Sequence, residues 1–401
     1  MIDRSRRRTT AMLLGTFVLA FTLGASSVAA VRDKSIYEIY AILPLTGPTA
    51  FIGINGKKDL DLIEKIVNTS GGIQGHPLHF TALDDQGNPQ ITVQLTSDLI
   101  AKNVPVILGS GGAGVCLAMM PLVAKNGPVQ YCLSPGIHPK RGSYTFSASV
   151  GVLDDAIGTI RFYRLNGWTR IAIVTSTDAI GQEMDRSFAT VLALPENKSM
   201  QVVASEYFNP NDISVAAQVA RVKAANPQAI ISWTTGSPFG TLLRAINDAG
   251  LDIPVSSSTG NMSFAQMAQY KSFLPKQLYF AGLRSISRLG TARGPVRDAQ
   301  AVYFNAFKAI GVRPDVLNAI DWDPAVIVVA AVRHIGVSAT ADQIRDYIAN
   351  LHGFAATSGV YDFSDPEQRG LTINALVIDK WDPVTGDFVA ASGPGGFPKK
   401  P

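Results

Sequence analysis

Short runs rich in β-branched residues alternate along the chain with longer stretches whose apolar positions recur every three to four residues. The short runs are Ile36–Leu43, Leu78–Leu83, Val104–Leu108, Val129–Leu133, Thr169–Thr175, Met200–Tyr207 and Ala229–Trp233. Each is of strand length, and the most apolar of them, such as Val104–Leu108, have the pattern of a strand buried on both faces. Between them, Lys57–Asn68 places Leu60, Ile63, Ile66 and Val67 on one helical face, and Gly71-Gly72 stops that helix. Ser237-Pro238 opens another, Leu242, Leu243 and Ile246 face inward, and Gly250 ends it. Strand, helix and strand repeated this often predict an α/β fold of parallel sheets covered by helices on both faces.

Three stretches interrupt the alternation: the polar, strand-like Gly142–Val152, the Arg/Ser/Gly-rich Ala281–Gly294, and Gly359–Asp365 ahead of a final strand at Ile373–Trp381. Three interruptions fit two lobes joined by three crossings, each lobe assembled from separated pieces of chain. The expected division is 35–149 plus 285–357 for the first lobe and 150–284 plus 358–392 for the second. The Gly/Pro/Lys stretch 393–401 is expected to be a flexible tail.

The ends change the electrostatic picture. Arg4, Arg6, Arg7 and Arg8 precede an apolar stretch from Ala11 to Leu23 and the small residues Val28-Ala29-Ala30, the layout of a cleaved secretory signal peptide over residues 1–30. An uncleaved anchor is the other reading, but Gly15, Thr16, Thr22 and Gly24 interrupt the stretch. Ser5-Arg6-Arg7 leaves the twin-arginine route open beside ordinary export. Removing those residues takes away four arginines and one aspartate, which brings the formal charge from +4 to +1. A nearly neutral chain argues against electrostatic nucleic-acid binding. In an oxidising compartment Cys116 and Cys132 are expected either to form a disulfide or to remain two buried thiols.

Catalytic signatures are scarce. Gly109-Ser110-Gly111-Gly112-Ala113-Gly114 follows a strand, opens a helix and satisfies G-x-G-x-x-G. The next strand, however, ends at Leu133-Ser134-Pro135-Gly136 with no acid for a ribose hydroxyl, and the motif sits on the third strand rather than the first. What survives is general: a Gly-rich turn lets N–H groups at a helix start approach an anion such as a carboxylate. No nucleophile elbow, H-E-x-x-H or C-x-x-C occurs, the five histidines are scattered, and no metal or cofactor is expected. His138 stands apart because it follows a strand in Ser134-Pro135-Gly136-Ile137-His138-Pro139.

Leu45-Thr46-Gly47-Pro48, Gly71-Gly72-Ile73-Gln74-Gly75, Asp84-Asp85 with Pro89, Val106-Ile107-Leu108-Gly109 and Ser134-Pro135-Gly136, in that order, resemble the leucine/isoleucine/valine-binding proteins, type I extracytoplasmic solute-binding components of ABC transporters. Ile171–Val174, Gly181, Leu243-Arg244 and Gly250-Leu251 extend the likeness through the second half. The resemblance implies a non-enzymatic, periplasmic, monomeric protein with two Rossmann-like lobes and a three-strand hinge, delivering its solute to a permease and ATPase subunits. It implies ligand contacts at Ala113, Gly114 and Val115, at Ser134, Ile137 and His138, at the lid residues Phe51 or Ile52, and at Ile180, Thr235 and Gly236.

Departures carry information. Family members usually have Thr where His138 stands and commonly Tyr at Ile180. At Ser257 the amino-acid binders carry an acid for the ligand ammonium, whereas Val255-Ser256-Ser257-Ser258-Thr259-Gly260-Asn261 has none. An ammonium buried without a counter-charge is costly. The expected ligand is therefore an aromatic or other hydrophobic carboxylic acid, over a floor of Phe239, Phe51 and Trp233, with Ser257 and Asn261 nearby. An amino acid or its amide, with Asp178 or Glu183 as counter-charge, is the alternative. A sensor role and an exported nucleotide-dependent enzyme are the rivals for function.

Overall fold

The computed structural model describes residues 35–287 and 293–399. The expected signal peptide, residues 1–30, lies outside the described residues. The first sheet arises from β1 (Tyr37–Leu43), α1 (Ala50–Thr69), β2 (Leu78–Asp84), α2 (Pro89–Ala101), β3 (Val106–Gly109), α3 (Ala113–Val123), β4 (Val129–Cys132) and β5 (Thr145–Ser147). Its order is β2-β1-β3-β4-β5, with every pairing parallel. All four residues of β3 and of β4 are buried, as two-sided helix cover requires of a parallel sheet.

The second sheet begins after α4 (Val152–Leu165). It takes in β6 (Arg170–Ser176), α5 (Ala179–Leu192), β7 (Gln201–Phe208), α6 (Ala216–Ala224), β8 (Ala229–Trp233), α7 (Ser237–Asp248), β9 (Val255–Ser257), α8 (Phe264–Gln269) and β10 (Leu278–Leu283). The chain then returns through α9 (Arg284–Ser287), α10 (Pro295–Ala309), α11 (Val316–Ile335), α12 (Ala341–Ala349) and the hairpin β11 (His352–Ala355) with β12 (Val360–Asp362). It finishes on β13 (Leu376–Asp382) and β14 (Asp387–Ala390), giving the order β14-β13-β10-β9-β8-β6-β7.

The seven strands expected from apolar runs all form, and α7 spans the predicted segment. The all-parallel expectation fails at one edge. The β10–β13 and β13–β14 pairings are antiparallel; β13 enters beside β10 from the third passage in the opposite direction, and a tight turn at Val384–Gly386 returns the chain directly into β14. The expected irregular stretch at Ala281 is still strand, its first three residues closing β10. The 393–399 stretch is not free. Arg161 of α4 donates to the Gly395 carbonyl at 2.6 Å and lies 4.1 Å over the Phe397 ring, and Gly396 approaches the Gly158 carbonyl so closely that a Cβ would sit 2.3 Å away.

The chain passes between the sheets near 148–151, between the described residues 287 and 293, and near 363–375. The first and third passages are tied together. Gln368 donates to the Thr145 carbonyl (2.6 Å) and accepts from the Gly142 amide (2.7 Å). Arg369, almost wholly buried, donates to the Pro135 carbonyl (2.9 Å), the Ser147 hydroxyl (2.8 Å) and the Ile137 carbonyl. The Pro135 and Ile137 carbonyls in the loop after β4 are thereby satisfied by a residue more than two hundred positions away. No helix among the described residues is long and apolar enough to cross a membrane.

Candidate ligand-binding cleft

Between the sheets lies a cavity of about 60 Å³, room for roughly four or five water-sized spheres. Ile52, Gly111, Leu133, Ser134 and Pro135 wall it on the side of the first sheet, with Leu317, Ile320 and Asp321 from α11. Asp155, Ile180, Trp233, Thr235 and the turn Ser258-Thr259-Gly260 wall it on the side of the second. The walls touch: a Cβ on Gly136 would stand 2.7 Å from both Ala113 Cβ and Ile180 Cδ1, and one on Gly236 would stand 3.5 Å from Phe51 Cε1. Gly236 takes φ +90, which glycine adopts at no steric cost and which turns β8 into α7 beneath the cavity.

Three polar atoms in this lining are buried without a hydrogen-bond partner: Asp155 Oδ1, Asp321 Oδ2 and Trp233 Nε1. Leaving such atoms unpaired costs about 1–3 kcal/mol each, more when charged. Burial pushes the Asp155 carboxyl well above its usual range, neighbouring Asp154 adds to the rise, and Arg369 opposes it. Burial does the same to Asp321, reinforced by Asp315. Asp155 occupies the first turn of α4, where the helix dipole favours a negative charge. Asp321 is seated by Gly56 of α1, whose missing side chain leaves the space: a Cβ there would fall 2.5 Å from Oδ2. Of three wider grooves, those of about 970 Å³ beside Arg313 and about 570 Å³ beside Arg244 have no such unpaired polar atom among their lining residues, and the third, of about 610 Å³ beside Pro128, has the Tyr37 hydroxyl alone.

The start of α3 borders the cavity through Gly111 and Ala113. No side chain caps this helix and no acid stands in its first turn, which leaves its opening N–H groups without a capping side chain. Gly114 faces the opposite wall, 3.8 Å from Ala179 Cβ when given a Cβ, and Val115 is buried beneath Gly112. Cys116 and Cys132 form a disulfide with Cα atoms 5.9 Å apart, which fastens α3 to β4, and Ile137 packs on it.

Of the residues singled out in the sequence, Ile52, Ser134, Ile180 and Thr235 line the cavity, and Phe51, Ala113, Gly114 and Gly236 stand at its edge. Phe51 belongs to the first turn of α1, not to a lid loop. Phe239 is no floor: it is fully buried in the second sheet's core, 6.3 Å from the Phe280 ring and 6.5 Å from that of Tyr270, since the first turn of α7 directs it there. Trp233 does line the cavity. Ser257 lies behind the wall, its hydroxyl accepting from Asn261 at 2.9 Å. Asn261 is itself a brace, accepting from the Gly236 amide (3.0 Å) and donating to the Thr234 carbonyl (2.7 Å). His138 is outside the lining, with both ring nitrogens engaged by carboxylates.

The stretch 255–261 holds no acid at the cleft, but the counter-charge it lacks is available from other elements of the lining. Asp155 and Asp321 supply it. The acids weighed in the sequence are committed elsewhere: Asp178 caps α5 through the Gly181 amide (3.1 Å), and Glu183 pairs with Arg186 (2.6 Å) and His138 (2.8 Å). The overlooked signals were an acid pair at 154–155 just past the first crossing and Asp321 and Asp323 inside an otherwise apolar helix.

Similarity to known proteins agrees with this architecture. The family profile described as periplasmic binding protein matches residues 38–383. The Leu/Ile/Val-binding protein homolog 3 of Brucella melitensis is 24% identical over 254 residues, covering 62% of this chain and 67% of its own. Homolog 1 of Brucella abortus is 26% identical over 230 residues, covering 55% and 60%. The chain thus spans about 60–67% of the length of these curated relatives. Among solved structures, a solute-binding protein of an ABC transporter from Rhodopseudomonas palustris in complex with benzoate superposes with TM-score 0.76 at 18% identity, over 90% of this chain and 96% of that one. The branched-chain amino acid transporter substrate binding protein LivJ from Streptococcus pneumoniae, in complex with isoleucine, gives TM-score 0.76 at 17% identity, over 89% and 98%. With paired α/β sheets, three crossings and a profile match over most of its length, the chain belongs to the periplasmic binding protein family.

Proposed function

We propose that the protein captures a small solute of amino-acid size in the periplasm and hands it to the permease and ATPase subunits of an ABC importer. Residues 35–149 with 285–357 form one jaw and 150–284 with 358–392 the other. The ligand carries both a carboxylate and a protonated amine. Its carboxylate sits at the uncapped start of α3, near Ala113 and Gly114, within reach of the Trp233 N–H. Its ammonium is held by Asp155 and Asp321.

One observation carries this reading: an unpaired buried donor and two unpaired buried acceptors line a single cavity between the sheets. A zwitterion satisfies both kinds of atom, because its ammonium holds the two aspartates in the ionised form that burial otherwise disfavours, whereas a carboxylate without an amine meets only the donors. The names of the relatives, a Leu/Ile/Val-binding protein and a homolog of one, support it. The benzoate complex of a similar fold supports the competing aromatic-acid reading. No catalytic constellation accompanies the cavity, and the protein acts as a monomer by capture and release.

Calorimetric titration with isoleucine and with benzoate separates the two readings. Isoleucine is expected to bind, and Asp321→Asn to weaken it about 10- to 100-fold, the worth of a charged hydrogen bond. Tight benzoate binding that Asp321→Asn leaves unchanged, without isoleucine binding, would reject the zwitterion.

A further inference from the structure

His138 joins three parts of the molecule. It sits in the loop after β4. Its Nε2 lies 2.8 Å from Glu183 Oε1 on α5, across the cleft, and its Nδ1 lies 2.9 Å from Glu367 Oε1 in the third passage between the sheets. An ionised carboxylate only accepts hydrogen bonds, so both ring nitrogens must donate. A neutral imidazole has one N–H; only the imidazolium has two. The arrangement is complete only with a proton on His138.

The surroundings favour that proton. Glu183 is mostly buried and also holds Arg186 at 2.6 Å; Glu367 also holds Arg369 at 2.7 Å. Behind Arg369 stand Asp154 of α4 and Asp365, whose carboxylate accepts from the Arg369 amide. Lys140 and Arg141 follow in the same loop as His138, with Arg141 turned to the Ser364 carbonyl (3.2 Å). The hydrogen bond to Glu367 and that to Glu183 hold the imidazolium above its ordinary range, against burial, and Glu367 is held down to about 2 by the same contact.

We infer that His138 is a proton-dependent latch across the cleft: Glu367, tied to the β4 side through Arg369, already holds one ring nitrogen, closing the jaws brings Glu183 onto the other, and closure takes up a proton and weakens as that proton leaves. The inference rests on the reading of two jaws that open and close, but not on the identity of the solute. The sign follows from linkage. The closed state binds the proton more tightly than the open state, so closure is favoured while His138 is protonated and loses favour as pH rises through its raised value. One proton changes the closing constant at most about tenfold per pH unit.

The test needs no solute. Spin labels at Ser97→Cys on α2 and Ile213→Cys beside α6, both exposed, report the separation of the jaws while the native cysteines stay paired. Nitrogen NMR of the imidazole in the full chain reports its protonation. Both ring nitrogens are expected to carry protons at pH 6, and the short-distance population to shrink several-fold between pH 6 and 8. His138→Gln and Glu183→Gln are expected to flatten that dependence. A neutral His138 at pH 6, or a pH response that survives in His138→Gln, overturns the latch. The capture reading fails separately: neither isoleucine nor benzoate would then shift the distances at any pH.

Discussion

Asp321 is an acid placed where only apolar residues should be, between Ile320 and Trp322 on a helix that is buried almost throughout. Nothing in the protein bonds its Oδ2, and Gly56 is kept bare to make space for it. Gly56 also lies inside α1, where alanine is intrinsically better by about 1 kcal/mol. Gly56→Ala is therefore expected to leave stability within about 1 kcal/mol, as helix propensity offsets crowding, while displacing the carboxylate and weakening isoleucine binding at least several-fold. Denaturant unfolding and calorimetry on the same variant check both halves; a variant with lower stability and unchanged affinity would assign Gly56 to packing alone. At this scale the sequence was only partly legible. Ile52, Ser134, Ile180 and Thr235 could be located from motif order, whereas Asp155 and Asp321 could not, because their meaning depends on two segments far apart in the chain meeting at one cavity. Phe239 misled for the same reason: an aromatic beside a cleft residue reads as lining until the helix phase is known.

Among the elements, α3 has the least intrinsic support. Its N-terminus has no side-chain cap and Pro121 interrupts its interior. It is held from outside, by the Cys116–Cys132 disulfide and by Gln130, which donates to the Cys116 carbonyl at 3.1 Å. The two cysteines are 16 residues apart, and closing a loop of that size in the unfolded chain contributes about 3 kcal/mol. Replacing both by alanine is expected to lower unfolding stability by about 2–4 kcal/mol and to weaken solute binding, since the start of α3 then loses its position. A urea midpoint equal to the parent's would show that packing alone secures the helix. Elements with strong periodicity were legible: Ala229–Trp233 was bounded correctly, and the other runs shifted by one or two residues. Short strands were not. Val255–Ser257 has two serines in three residues and β14 is only four residues long, so neither has a pattern of its own. The first turns of α1 were missed because Gly53 and Gly56 depress helix propensity exactly where the helix meets Pro44 and Asp321.

On the scale of the molecule, buried acids outnumber what ordinary stability would select. Asp59, Asp155, Asp321 and Asp323 are all pushed up by burial, and Asp315 rises to about 6 for the same reason. In the unfolded chain these groups release their protons near their usual range, so between that range and neutrality the folded state binds more protons. Stability therefore falls as pH rises from about 5 to 8, by about 1.4 kcal/mol for Asp315 alone, the one pH unit of its rise that lies above pH 5. His138, also raised, acts in the same direction. Glu367, held at about 2, acts oppositely, and its contribution is lost only in strong acid. Solute-free thermal unfolding is expected to give a higher Tm at pH 5 than at pH 8; the reverse order would mean that these acids are ionised and paired in the folded state. The two-sheet, three-crossing plan was legible because parallel α/β units repeat, while the antiparallel edge and the docked 393–399 stretch, each fixed by contacts with distant elements, were not.

A crystal structure of the protein grown with isoleucine examines the central claim most directly. The expected result is one isoleucine between the sheets, its nitrogen within hydrogen-bond distance of Asp155 or Asp321 and its carboxylate at the opening turn of α3. Density for the solute elsewhere, or a nitrogen with neither aspartate beside it, would contradict the account.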